Sequence, residues 1–280
     1  MLKQRIVTAL LLLAVLLPAM FYPSMEPFTA LSALVMGAAG WEWARLNGCS
    51  EWSARLLGGT LGLAVCFFWW WGGLERSWPE VWWAASAAWL VLSVVMLRRG
   101  VAGWLSWPAW SRLAGGLVLL ACAWLALVQA RIVGLGFLLS VLTLVWAADI
   151  AAYAGGRAFG RRKLAPTLSP GKSWEGVFSG VLGVCLLGWF WIWFDQRFPA
   201  AAPSLFAQLW TASPVWAVVV FVVLAGTSVV GDLLESLVKR GAGMKDSSQL
   251  LPGHGGVLDR VDALLPVLPV AMLITSTLKP

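Results

Sequence analysis

The reading of the fold turns on three consecutive segments: VWAVVVFVVLAGTSVV (Val215–Val230), GDLLESLVKRGAGMKDSSQLLPGHGGVLDRVD (Gly231–Asp262) and ALLPVLPVAMLITST (Ala263–Thr277). Two apolar runs flank a polar insert that holds five carboxylates, four Lys or Arg and His254, the single histidine of the chain. Apolar runs of this kind read as membrane-spanning helices. Charge at the end of such a segment is costly unless it is paired or bound to something, so the insert reads as a functional site.

Outward from this stretch the same apolar pattern recurs. The chain is 60% hydrophobic and 12% charged, with a mean hydropathy of +0.81, whereas a soluble domain carries about 25% charged residues. Candidate spans fall at about 6–22, 27–44, 55–72, 80–97, 113–130, 132–152, 176–194, 214–233 and 262–278. Backbone groups in lipid must be satisfied internally, and these runs are too long for barrel strands. The expected fold is therefore all-α, a polytopic membrane bundle of about nine transmembrane helices. Residues 1–130 would form a scaffold, and 131–280 would carry the catalytic loops. The first run is kept as a span: Leu17–Met20 leads to Tyr22-Pro23 without the small-x-small exit of a cleaved signal.

Basic residues give the orientation. With those spans, sixteen Lys or Arg gather on one side, and Arg76, Arg131, Arg197 and Lys279 lie on the other, which accounts for all 20. The positive-inside rule then puts the N-terminus and the polar insert in the cytoplasm, at a bacterial-type inner membrane. The net charge of +7 fits cytoplasmic loops and anionic headgroups. There is no separate basic domain for nucleic acid, and none is expected as a partner. Cys49, Cys66, Cys122 and Cys185 are far apart and show neither zinc nor disulfide spacing. Tryptophans cluster at run ends (Trp69–Trp71, Trp82–Trp83) as an interfacial belt does. Glu42, beside Trp41, Trp43 and Arg45, reads as a snorkelling interfacial carboxylate.

Within the insert, Asp232, Glu235, Ser236 and Lys239 stand at i, i+3, i+4 and i+7, one polar stripe on a helix. Gly241 and Gly243 end that helix. Met244–Gly256 reads as a loop carrying Lys245, Asp246 and His254, with turns at Pro252-Gly253 and Gly255-Gly256. A last helix is expected from near Val257, with Asp259 and Asp262 on one face and Arg260 beside them. A second informative stretch is AADIAAYAGGRAFGRRKLAPTLSPGKSWEG (Ala147–Gly176). Asp149 and Tyr153 share a face there, and Ser169, Lys172 and Ser173 precede the seventh span. Ser173 reads as an N-cap. The segment is not a P-loop, since Pro166 occupies the first glycine position and no flanking strand is expected. It remains a plausible phosphate seat.

The donor inventory is all oxygen, which suits a hard cation, Mg²⁺ above all. Interspersed Lys and Arg suit phosphate oxygens and a charged leaving group. Together these features suggest Mg²⁺-assisted phosphoryl or nucleotidyl transfer, with two divalent ions expected. A transporter with intramembrane carboxylates is an alternative, but it predicts charges near midplane and internal repeats, and neither is found.

The run Ser236–Arg240, Lys245-Asp246 and Leu251–Asp262 (LPGHGGVLDRVD) resembles the signature of phosphatidate cytidylyltransferases. The stretch from Asp149 to Gly176, with Gly156-Arg157, Phe159-Gly160 and Ser169-Pro170-x-Lys172, is similar to the same family. Ser248, where a smaller glycine-like residue is expected, and Ala263, where serine is common, depart from the pattern. The resemblance implies transfer of CMP from CTP to phosphatidic acid, giving CDP-diacylglycerol and pyrophosphate. It implies metal binding at Asp232 and Asp259, with Asp246, Asp262 and Asp149 as further candidates. Lys239, Lys245, Arg240 and Arg260 would hold phosphates, assisted by Ser169, Lys172, Ser236, His254, Gly255 and Gly256. CTP, phosphatidic acid and membrane lipids are the implied partners, and a homodimer is a candidate assembly. A lipid or polyprenol kinase, or a cytidylyltransferase for another lipid phosphate, is the alternative within enzymes.

Overall fold

A computed structural model describes residues 2–199 and 202–278; Lys279, counted above for orientation, lies outside them, and the side chains of Lys3 and Arg5 are likewise not described. The helices are α1 (Leu2–Phe21), α2 (Glu26–Leu46), α3 (Glu51–Trp70), α4 (Pro79–Leu105), α5 (Ala109–Val133), α6 (Leu135–Phe159), α7 (Trp174–Arg197), α8 (Leu205–Ala212), α9 (Pro214–Gly241), α10 (Leu258–Val261) and α11 (Leu264–Leu278). Each expected apolar run overlaps one of these helices, though the 132–152 run begins in the last turn of α5 and crosses Gly134 into α6. Among the described residues, seven are long and apolar enough to cross a membrane: α3 to α7, α9, and the α10–α11 unit. The apolar part of α1, Ile6–Phe21, is shorter, and α2 is diluted by Glu26, Glu42 and Arg45. The chain is a multi-pass, all-α membrane bundle.

Helix starts follow local chemistry. Ser50, Ser173, Ser204 and Ser213 each accept a hydrogen bond from the backbone N–H three residues on, and Pro79 and Pro214 occupy first-turn positions that need no donor. Small residues set the closest helix pairs, as expected where lipid removes any hydrophobic drive between helices. Along α6 and α7, a Cβ on Gly180 would come within 3.0 Å of Ala148 O, and one on Gly176 within 2.9 Å of Ala152 O. Along α2 and α3, a Cβ on Gly58 would stand 2.5 Å from Gly37 O.

Helix α9 runs through the middle, packed on α4, α6, α7, α8 and α11. Its inward face (Val220, Phe221, Leu224, Leu237) is buried with Trp124, Phe137 and Phe206, while Leu63, Leu182, Leu186 and Val215 face outward. Gly231 is where the α10–α11 junction crosses α9. A Cβ there would lie 2.6 Å from Asp262 O and 3.0 Å from Ala263 Cα, so only glycine admits this approach.

The two ends of the bundle differ. At one end the Arg131 side chain donates to Met20 O and Tyr22 O, and Gln129 to Leu74 O and Arg76 O. At the other end lie the C-termini of α2, α6 and α9 and the N-termini of α7 and α10, together with a β-hairpin. Its strands, β1 (Lys163–Ala165) and β2 (Ser169–Ser173), pair antiparallel with Lys163 opposite Ser173. A strand here departs from the expected loop. Alternation over five residues leaves no long periodic signal, and long-range clamps hold the hairpin: Glu175 accepts from the Arg161 and Arg162 amides, and Arg240 donates to Leu168 O.

Candidate active site

At the hairpin end a cavity of about 490 Å³ opens between α6, β2, α7, α9 and α10. Asp149, Asp232, Asp259 and Asp262 line it, with Ser169, Lys172, Ser173, Tyr153, Arg157 and Arg260. Each arrives for a local reason. Asp149, Tyr153 and Arg157 recur at four-residue steps on α6, and the Arg157 guanidinium lies 3.4 Å from the Tyr153 hydroxyl. The hairpin swings Lys172 over α9, its Nζ 2.5 Å from Asp232 Oδ2. The Ser236 hydroxyl, one turn along, donates to Asp232 Oδ1 at 3.3 Å. The glycine at 231 lets Asp262 come in beside Asp232.

Beneath the cavity is a nearly dry charge cluster. Lys239 Nζ bridges Glu235 Oε2 at 2.5 Å and Asp259 Oδ1 at 2.6 Å, and all three side chains are at most 12% exposed. Lys239 is the one partner of Glu235 among the described residues. Asp259 is better held: Oδ2 accepts from Ser247 N (2.9 Å), Ser247 Oγ (2.9 Å) and Gly256 N (2.7 Å). The PGHGG turn makes this possible. Gly255 has φ +80° and its Cβ would stand 2.6 Å from Asp259 Oδ2, so any side chain would meet both backbone strain and the carboxylate. His254 serves the turn through its backbone: its carbonyl accepts from Arg260 Nε (2.9 Å) and Nη2 (2.6 Å). That fixes Arg260 while three of its five guanidinium N–H groups have no partner among the described residues.

Besides His254, the expected site residues divide into three sets. Asp149, Ser169, Lys172, Asp232, Asp259, Arg260 and Asp262 line one cavity. Ser236, Lys239, Gly255 and Gly256 lie behind that lining and hold parts of it. Lys245 and Asp246 are exposed on the loop after α9, and neither is among the lining residues; Arg240 is also exposed and bonds Leu168 O and Met244 O. The expected helix from Val257 is broken into α10 and α11 at Asp262-Ala263, where the Asp262 carboxylate accepts from the Ala263 amide at 2.8 Å.

Glu42 corrects the sequence reading. It does not snorkel to an interface but is 0% exposed. Its Oε1 accepts from Ser248 Oγ (2.6 Å) and Val257 N (2.9 Å), and its Oε2 from Ser247 Oγ (3.1 Å) and Leu258 N (2.7 Å). Ser248, the departure from the family pattern, is thus one of its partners. The available signal was the carboxylate itself, set inside an apolar run, which defaults to function rather than decoration.

The cavity suits a magnesium ion. Its donors are carboxylate and hydroxyl oxygens with no thiol or imidazole among the lining residues. Among the described residues no three acidic, His or Cys side chains form a preassembled ligand set, and Asp232 and Asp259 are paired with Lys172 and Lys239. Mg²⁺ asks for no such cage: one or two carboxylates with water and phosphate oxygens suffice.

Comparison with known proteins points the same way. The sequence model of the Cytidylyltransferase family matches residues 3–278. The chain is 40% identical over 276 residues to a phosphatidate cytidylyltransferase of Pseudomonas aeruginosa, covering 96% of this chain and 95% of that protein. It is 34% identical over 298 residues to one of Haemophilus influenzae, covering 96% of each. A phosphatidate cytidylyltransferase of Brucella suis is 45% identical over 126 residues, 45% of this chain and 41% of that protein. With the match running through every helix that builds the cavity, the chain belongs to the cytidylyltransferase family.

Proposed function

We propose that the protein transfers CMP from CTP to phosphatidic acid, at a site facing the cytoplasm from the bacterial inner membrane. The observation that carries this reading is the cavity itself: four aspartates and three cations (Lys172, Arg157, Arg260) converge at one end of an apolar bundle. A polar nucleotide and a lipid headgroup can meet only at such a junction. The names of the relatives support the substrates. The far-end placement of Arg131, together with the basic hairpin beside the cavity, supports the orientation.

A phosphate oxygen of the lipid attacks the α-phosphorus of CTP; that P–O bond forms as the bond to the bridging oxygen breaks, and pyrophosphate leaves. Because the attacking phosphate is already anionic, no histidine base is needed; His254 serves the turn through its backbone, its N–H donating to Leu251 O and its carbonyl accepting from Arg260. Bound Mg²⁺, held by Asp232 and Asp259 with Asp149 and Asp262 in reach, would neutralise developing charge on the transferred phosphoryl group. Lys172, released from Asp232 by an incoming phosphate, and the free N–H groups of Arg260 align the triphosphate. Lys239 keeps Asp259 oriented from below. These residues work by alignment and charge neutralisation.

The test is product identification with purified protein, Mg²⁺, phosphatidic acid and CTP labelled at either the α or the γ phosphate. Label in the lipid from the α position, with pyrophosphate released, is the expected result. Transfer of the γ label would make the protein a lipid kinase instead.

A further inference from the structure

We propose that Glu42, from the N-terminal half of the chain, is a positioning residue for this reaction: it fixes the Ser247–Leu258 segment and, through it, Asp259. The proposal rests on the functional reading above for its kinetic consequence, but its structural consequence stands alone.

Glu42 sits on α2, more than 200 residues from its partners in sequence. All four of its hydrogen bonds go to one segment, two from the residues leading into the PGHGG turn (Ser247, Ser248) and two from the residues leaving it (Val257, Leu258). Each carboxylate oxygen takes one hydroxyl and one backbone amide. A carboxylate is acceptor-only, and it meets four donors here with no cation bonded to it among the described residues. An amide in its place must turn an NH₂ toward two of those donors.

The link to chemistry is short. The Ser247 hydroxyl lies between Glu42 Oε2 (3.1 Å) and Asp259 Oδ2 (2.9 Å), its one proton shared by the two carboxylates. The Ser247 and Gly256 amides that hold Asp259 belong to the two arms that Glu42 clamps. Gly256 is bare for the same reason, since a Cβ there would overlap both the Ser247 hydroxyl and the Glu42 carboxylate. A side chain needed only to fill space could be apolar. Burying a carboxylate at 0% exposure is costly unless its bonds compensate, and these bonds all converge on the arms that aim Asp259.

The experiment compares full-length wild type, Glu42→Gln and Ser248→Ala in detergent. It reads amide hydrogen exchange across residues 246–258 without substrate, then kcat and KM for CTP. Glu42→Gln is expected to speed exchange at Val257 and Leu258 by at least about tenfold. It is expected to lower kcat by about 10–100-fold, with KM for CTP within about threefold, as displaced catalytic groups do. Ser248→Ala, which deletes one donor, shifts both readouts the same way by less, and it carries the test if Glu42→Gln does not accumulate folded. Unchanged exchange overturns the proposal, as does a variant whose thermal midpoint alone falls while kcat holds. Should wild type transfer no CMP, the functional reading fails, and the exchange data still decide whether Glu42 holds the segment.

Discussion

Replacing Lys239 by methionine strips the one ammonium from a pocket that also buries Glu235 and Asp259. Glu235 is 7% exposed and Asp259 6%. Their losses differ. Asp259 keeps three donors on Oδ2, two from Ser247 and one from Gly256. Glu235 keeps none, because Lys239 is its only partner and only compensating charge among the described residues. Removing one partner of a buried ion pair costs about 3–5 kcal/mol, and most of that should fall on Glu235. Adding Glu235→Gln in the Lys239→Met background should therefore recover part of the loss, with a coupling of about 2 kcal/mol, within the range seen for residues in one network. Denaturant unfolding of the purified protein, followed by the fluorescence of its 21 tryptophans, reads both quantities. A Lys239→Met variant within about 1 kcal/mol of wild type, or strict additivity in the double variant, would refute the view that this cluster is a coupled buried network.

Three further outcomes are expected. Asp232→Asn and Asp259→Asn should abolish CMP transfer while the protein still inserts and purifies; near-normal turnover in either removes that residue from the metal role. Gly231→Ala should lower stability by about 1–3 kcal/mol, the usual cost of overpacking, and reduce activity with it, since the new methyl meets Asp262 O and Ala263 Cα; unfolding midpoints and turnover together check this. Lys172→Gln should leave stability within about 1 kcal/mol, because its pair with Asp232 is partly exposed (24% and 32%), yet raise KM for CTP, and an unchanged KM would take Lys172 out of phosphate binding.

What could be read from sequence was what repeats locally. Apolar runs give helices because backbone in lipid has no other partner, and the stripe Asp232, Glu235, Ser236 and Lys239 follows from helical spacing alone. Ser173 as N-cap is equally local, a short polar residue just before an apolar run, and its hydroxyl does accept the Gly176 amide. The misplaced features depend on contacts between distant segments. Glu42 next to tryptophans and an arginine has the composition of an interfacial residue, and only its meeting with Ser247 and Ser248 makes it a buried clamp. Asp246 has the same chemistry as Asp259 but sits on the loop after α9 and ends up exposed. The hairpin over β1 and β2 is held by Glu175 and Arg240 rather than by any strand propensity of a Ser-Pro-Gly-Lys-Ser segment.

The central claim is that aspartates from α6, α9 and α10 together bind divalent cations at the mouth of the bundle. Its most direct test is Mn²⁺ binding, followed by electron paramagnetic resonance, to purified wild type, Asp232→Asn and Asp259→Asn with and without CTP. The account predicts that wild type binds Mn²⁺ more tightly when CTP is present and that both variants lose most of that binding. Equal Mn²⁺ affinity in all three proteins would contradict it.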